Sequence, residues 1–421
     1  MERDKKAVNT NLILLLLGRM VSDTGTSLQM VVIPLYIIDA GGSAATLGLF
    51  SFLALMPALL IYPLAGVLGD RLNRKTIMVV TDFVSAGIII ALAYTSYLGK
   101  MSLTLLLAVQ VIVSLLNGMF DPATKGMLPQ LVEQDKLTRA NSAVASLRTL
   151  AALLGPVIGV ALYTSLGITV LFLINGLSFL LSAGSEMLIG YKHSRRQVSQ
   201  GIPGIVTDLS EGIKFISDNK LIRKLCVFFF MIYALIQPIF SVVLPLLFRT
   251  RLSYSDTQYG YLQMIIILGA LLGSILVGLI FGKEKKVIKA LMIGCNLLMG
   301  MMLAFSVLLF PSSLSQMGND TLLYFSLLSG VLCLLSVAIM FIHVPIQALI
   351  QRKTPSGYMS RIFSMVGIIT KGGIPLGALM YGFILNSIEM HWTIFSATLL
   401  MMLISVVFLI SLAKTHDIKD N

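Results

Sequence analysis

Asp23 stands in the middle of a long apolar run, where an acid is out of place. At about 1.5 Å per helical residue it lies roughly 18 Å beyond Asn11. Arg19 precedes it by one turn, at the i,i+4 spacing that lets two side chains meet. Two further cations, Arg148 and Lys371, also fall inside apolar runs. A carboxylate with basic neighbours in a dry setting can take up and release a proton or another small cation. Asp23, Arg19, Arg148 and Lys371 are therefore the candidates for proton coupling. The competing reading is a structural ion pair, Arg19–Asp23 or Asp23–Arg148, that only neutralises the interior. Asp82, Glu186 and His343 lie near the ends of apolar runs, where loop pairing or reach to water is usual. Gln29, Asn117 and Gln237 can hydrogen-bond a substrate, or equally hold helices together.

The elements that must carry these residues are set by composition. Of 421 residues, 57% are hydrophobic and 12% charged, with a mean hydropathy of +0.91. Soluble domains are closer to 25% charged, so a water-soluble enzyme is excluded and so is disorder. Cys226, Cys295 and Cys333 all lie in apolar runs, which leaves no disulfide framework and no metal spacing. His193, His391 and His416 show no ligand spacing either. No G-x-x-x-x-G-K-[ST] loop appears, so nothing marks ATP as the energy source, and no cofactor is expected.

A bilayer core of about 30 Å takes roughly 20 apolar residues per helix. Twelve such runs are legible: 11–38, 46–69, 76–98, 102–122, 140–164, 168–190, 222–248, 257–281, 287–310, 321–348, 361–386 and 391–413. With the N-terminus inside, 25 of the 31 lysines and arginines fall in inner segments. Lys100, Arg249 and Arg251 are left in outer loops, and Arg19, Arg148 and Lys371 within spans. That bias predicts a multi-pass protein of the cell membrane with both termini cytoplasmic. It also explains the net charge of +12 without nucleic acid, which is not an expected partner.

A polar, basic stretch at 191–221 separates the spans six from six; part of it, Ile205–Asn219, has the pattern of an amphipathic surface helix. The expected organisation is a bundle over 1–190, a cytoplasmic loop over 191–221 and a second bundle over 222–421. Three internal echoes support duplication. The segment Val31–Ile37 resembles Val242–Phe248, Gly48 and Gly66 recur as Gly260 and Gly278, and Gly155-Pro156 is echoed by Ile374-Pro375. Asp23 has Ala234 as its counterpart, so the acid is not needed to build the fold. Pro34 and Pro245 are expected to bend their helices.

Between the second and third spans stands Gly66-Val-Leu-Gly-Asp70-Arg71-Leu-Asn-Arg74-Lys75-Thr-Ile-Met78. It closely resembles the signature loop of the major facilitator superfamily, G-x-L-a-D-r-x-G-r-k-x-x-l. Asn73 replaces a glycine, and Asn tolerates the left-handed backbone that a glycine there implies. The resemblance implies a cytoplasmic latch formed by Gly66, Asp70, Arg71, Arg74 and Lys75, with Asp121 and Lys125 expected to stabilise it through Arg71 or Arg74. The stretch from Phe120 to Val132 resembles the macrolide-efflux-like and siderophore-exporter-like branch. Gly155-Pro156-Val-Ile-Gly159 matches part of an exporter-associated motif that implies a bendable interface. An Arg usual in span 4 is absent, Ser114 standing four residues before Gly118.

The expected fold is all-α: twelve transmembrane helices in two pseudo-symmetric six-helix bundles, the major facilitator fold. The resemblance implies a secondary transporter working by alternating access on a small-molecule substrate. Proton-coupled export of amphipathic or lipophilic compounds is the leading expectation, with protons and membrane lipid as partners and the chain acting as a monomer. In such a fold Gln29, Asn117 and Gln237 sit on cavity-lining spans. A nutrient importer and a lipid flippase of the same fold are the alternatives.

Overall fold

The computed structural model describes the backbone of residues 2–133, 136–191, 202–281, 287–353 and 359–417. Side chains are described there except at 2–9, 66–71, 138, 202–209, 287, 351–353, 359–364 and 413–417. Every element among the described residues is helical. The first half holds α1 (Glu2–Asp39), α2 (Ala44–Arg71), α3 (Arg74–Tyr97), α4 (Leu103–Leu131), α5 (Leu137–Met187) and α6 (Ile202–Asp218). There follow α7 (Lys220–Pro238), a π-helical turn at Ile239–Val243, α8 (Leu244–Thr250), α9 (Asp256–Phe281) and α10 (Val287–Leu308). The last are α11 (Pro311–Met317), α12 (Leu322–Lys353), α13 (Met359–Ser387) and α14 (Met390–Asp417).

Among the described residues, eleven helical segments are long and apolar enough to cross a membrane. One of them, Arg139–Met187, has 49 residues, about 70 Å at helical rise and far more than one bilayer core. Gly167 divides it, with φ 77° and ψ 175°, a backbone only glycine adopts without strain. The contacts with α1 show what happens there. Before the break, Gly155 lies against Ser27 and Gly159 against Leu28. After it, Ser178 lies against Gly25, Ser182 against Gly18, and the Ser185 hydroxyl donates to the Leu14 carbonyl. The register reverses, so α5 is a hairpin of two spans.

Proline stands beside two local departures from regular helical hydrogen bonding. Near Pro245 the irregularity is the π-helical turn Ile239–Val243 that follows Pro238, and Pro245 lies in the first turn of α8. In α2, the Ala58 amide donates to the Ser114 hydroxyl, which in turn donates to the Ala54 carbonyl. The hydroxyl thus stands in the i to i−4 bond of α2 beside Pro57, a known way to bend a helix. Asn73 corrects the sequence-based expectation. Its φ of −64° and ψ of 114° are extended, and its side chain caps α3 by accepting from the Lys75 amide. No non-glycine residue among those described has positive φ.

The chain divides into two compact units. The first takes in Met1–Gly42, Phe52–Val206 and Asp256–Tyr261; the second takes in Ser43–Ser51, Thr207–Ser255 and Leu262–Asn421. In the first, α1 lies on both arms of α5 along a seam of small residues. A Cβ on Gly25 would meet Ser178 and come within 2.5 Å of Asn175 Oδ1, and one on Gly155 would reach 2.6 Å from Ser27 Cβ. In the second, Gly373 and Gly377 of α13 do the same against Phe230 and Ala234 of α7. Small residues let helix backbones approach where lipid offers no hydrophobic drive for association. The matching seams, α5 on α1 and α13 on α7, follow the internal echoes.

Glycines on the seam and off it should behave oppositely. Gly25→Val should cost about 1–3 kcal/mol through overpacking. Gly87→Ala, where an added Cβ meets nothing within 4 Å, should be neutral or stabilise by up to about 1 kcal/mol. Thermal melts of the two purified variants in detergent check this ordering.

Candidate functional site: a buried charge network

Three helices of the first unit converge their charges. Helix α1 presents Arg19 and Asp23, with Arg19 Nη2 3.0 Å from Asp23 Oδ1. The first arm of α5 presents Arg148, whose Nε is 3.5 Å from Asp23 Oδ2 and whose Nη2 is 2.6 Å from Asp121 Oδ1. Helix α4 supplies Asp121, which also receives Lys125 Nζ at 3.1 Å and faces Arg19 Nη2 at 3.9 Å. From α2, the Tyr62 hydroxyl donates to Asp121 Oδ2 at 2.9 Å and accepts from Lys125 Nζ at 3.1 Å. The Arg19 guanidinium lies 4.9 Å from the Phe120 ring centroid, a cation–π contact.

Exposure grades the network. Arg19 is nearly buried at 5% exposed, Asp23 and Asp121 are at 21% and 24%, and Arg148 is at 44%. Lys125, at 64%, and Arg148 are the more exposed members, and of the two only Arg148 touches both carboxylates. Asp121 is the hub, with three cations and a phenol around it. The arrangement can exchange partners: if Asp23 loses its charge, Arg148 still has Asp121 at 2.6 Å.

Several expectations fall elsewhere. Asp121 joins Arg148, Lys125 and Arg19. Arg74 instead donates to the Gly126 carbonyl of α4. Lys75 ties down the end of α5 through the carbonyls of Met187 and Ile189, each at 2.8 Å. At that edge burial raises the Tyr191 phenol above its usual value, and Arg74 beside it opposes the shift. The side chains at Gly66, Asp70 and Arg71 lie outside the described residues. Lys371 belongs to the second unit, near His343.

Gln29 is buried and accepts from the Asn175 amide, an interhelical tie between α1 and α5. Asn117 and Gln237 are half-buried. Around Gly155-Pro156 the helix keeps helical dihedrals, Gly167 being the one non-helical position in α5. Gly260 of α9 packs there, with 3.2 Å between its would-be Cβ and the Pro156 carbonyl. Sequence reasoning missed Tyr62. The available signal was a phenol inside an apolar span, which when buried requires a polar partner.

The second unit has no such charge cluster among its described residues at the corresponding place. Next to Ala234, the counterpart of Asp23, Tyr233 Oη meets His343 Nδ1 at 2.5 Å, with the Phe229 ring packed on both. Among the described residues, the network of Arg19, Asp23, Asp121 and Arg148 lies within the first unit.

The family model described as Major Facilitator Superfamily matches residues 15–378. The chain belongs to the major facilitator superfamily. It is therefore a multi-pass membrane protein that transports small molecules and does no enzymatic chemistry. Macrolide efflux protein A of Streptococcus pyogenes is 25% identical over 402 residues, covering 94% of each chain. Multidrug efflux pump Tap of Mycolicibacterium fortuitum is 23% identical over 409 residues, again covering 94% of each. Among solved structures, the nucleoside transporter NupG aligns with a TM-score of 0.73 at 14% identity, covering 96% of this chain and 98% of that one. A bacterial homologue of the iron transporter ferroportin, in an inward-facing state, gives 0.69 at 16%, covering 95% and 98%. At those identities the structures speak for the major facilitator fold alone.

Partner count within the network ranks its variants. Asp121→Asn strips charge from a site facing three cations, so it should lower stability more than Asp23→Asn, which faces two. Tyr62→Phe, losing one hydroxyl and two hydrogen bonds, should cost about 0.5–1.5 kcal/mol. Melting temperatures of the three variants in one detergent test the order.

Proposed function

We propose that the protein is a proton-driven exporter of amphipathic or lipophilic small molecules, working by alternating access with Asp23 as its coupling carboxylate. The observation that carries the reading is the position of Asp23 between arginines of two helices, with a second acid, Asp121, already holding one of them. A proton on Asp23 weakens its hold on Arg148, which then rests on Asp121 alone. The electrostatic link between α1 and α5 loosens, while their glycine seam lets the backbones slide without losing contact. Release of the proton restores the link. A change in two packed elements driven by one charge is what coupling requires.

Three further features favour export. The relatives at 25% and 23% identity carry efflux names and span the same length. Gly155-Pro156 and Gly159 keep part of an exporter-associated motif, and its glycines make the close contact with Ser27 and Leu28 of α1. Ser114 occupies the place of the arginine usual in span 4, and Arg148 of α5 supplies a cation beside Asp23 in its stead. The bundles over 1–190 and 222–421, joined by 191–221, act as the two rocking halves of a monomer in the cell membrane. The 66–78 loop latches them on the cytoplasmic side, and Asn117 and Gln237 offer hydrogen bonds to substrate. The large apolar composition suits lipophilic cargo.

In proteoliposomes with an imposed pH gradient, Asp23→Asn should abolish uphill drug transport and spare counterflow. Undiminished uphill transport by that variant would remove the reading. Orientation is checked separately in a chain whose native cysteines are replaced by alanine. Lys100→Cys should react with an impermeant maleimide on intact cells, and Lys214→Cys only after permeabilisation. The opposite pattern would invert the topology.

A further inference from the structure

Helix α3 and the second arm of α5 bring together a second set of polar groups that the network above does not use. Asp82 is 3% exposed and Glu186 1%. Both carboxylate oxygens of Glu186 and Oδ2 of Asp82 are buried without a hydrogen-bond partner. Ser182, one turn before Glu186 and 0% exposed, lies beside both acids, where its hydroxyl can donate to either. Arg19 Nε completes the group of buried polar atoms with nothing to bond. Native interiors leave few such atoms, and several in one place mark an occupant or a proton.

The charges that face the pair are few. From α1 come Arg19, which attracts both acids, and Asp23, which repels Asp82. The two acids repel each other across α3 and α5. Arg19 is already committed to Asp23 at 3.0 Å. Across the whole cluster, the cations Arg19, Arg148 and Lys125 face the carboxyls of Asp23, Asp121, Asp82 and Glu186. One added positive charge makes the count even. Two ionised carboxylates in one dry site are costly, and sharing a single proton is the usual solution. Lys75 fixes the carbonyls of Met187 and Ile189 at the end of α5, so Glu186 lies within one turn of that end and of its aqueous side.

We propose that Asp82, Glu186 and Ser182 form a binding site for one proton, distinct from Asp23, and that Arg19 couples its occupancy to Asp23. The proton comes from water at the end of α5 and returns there. While bound it makes one carboxyl a donor to the other, and the Ser182 hydroxyl takes up a remaining lone pair. With the site loaded, Arg19 stays with Asp23. With it empty, two negative charges compete for the same guanidinium and loosen the Arg19–Asp23 pair. The effect on transport rests on the reading of Asp23 as the coupling carboxylate; the binding of the proton does not.

Infrared difference spectra of the purified full-length protein, recorded between acid and alkaline pH, test the binding. The wild type should show a protonated-carboxyl band that Glu186→Gln and Asp82→Asn each remove and Asp23→Asn leaves in place. Ser182→Ala, a milder change, should shift the band and keep the fold if either amide variant fails to assemble. In proteoliposomes, Glu186→Gln should retain counterflow and show an altered pH profile of uphill transport. A band unchanged in both amide variants would overturn the site, and an unchanged pH profile would overturn its coupling to Asp23. So would sodium raising the melting temperature of the wild type but not of Glu186→Gln, since the site would then hold a metal cation. If Asp23→Asn blocks uphill transport and Glu186→Gln changes neither band nor profile, the export reading stands and this site falls. If Glu186→Gln removes the band while Asp23→Asn pumps normally, the site stands and the coupling role of Asp23 falls.

Discussion

The lipid sheet does not solvate charge, and nearly everything distinctive about this chain follows from that. An ionised group placed there must find an opposite partner close by, or be neutralised. Arg19, Asp23, Asp121 and Arg148 meet the demand collectively, through contacts that share one guanidinium between two acids. A network built by sharing is responsive where an isolated pair is merely satisfied. Any change in one member redistributes the partners of the rest, and those partners sit on different helices.

That responsiveness needs a scaffold that tolerates small displacement. The seam of α1 on α5 supplies it with glycine and serine in close contact, Gly25 on Ser178 and Gly155 on Ser27. The same device recurs where α13 meets α7 at Gly377 and Ala234. The two repeats share the seam and differ in chemistry. Among the described residues, the charge network stands at this place in one, and the Tyr233–His343 contact with its aromatic surround stands there in the other.

Much of the fold was legible in the sequence because the bilayer imposes a length on every span. Even the division of the 49-residue helix follows from the apolar runs broken near Gly167. The Arg19–Asp23 contact was legible too, since i,i+4 spacing needs no tertiary knowledge. Convergence of Asp121 on the same place was not. It depends on how α4 and α5 pack, and the motif around Arg71 and Arg74 pulled the expectation toward the latch. Asn73 misled for a local reason: a glycine-like position suggested a left-handed backbone, whereas the asparagine serves as the cap of α3. Asp82 and Glu186 looked bland because their positions near span ends suggested contact with water. Only packing reveals that α3 and α5 bury them together.

If Asp23 couples export to the proton gradient, a proton moves each time substrate does. A pH-sensitive dye sealed inside proteoliposomes reads this directly when transported substrate is added across a standing gradient. Substrate-induced proton movement is expected with the wild type and none with Asp23→Asn. Equal proton movement in both, or substrate transport by the wild type with no proton signal, would contradict it.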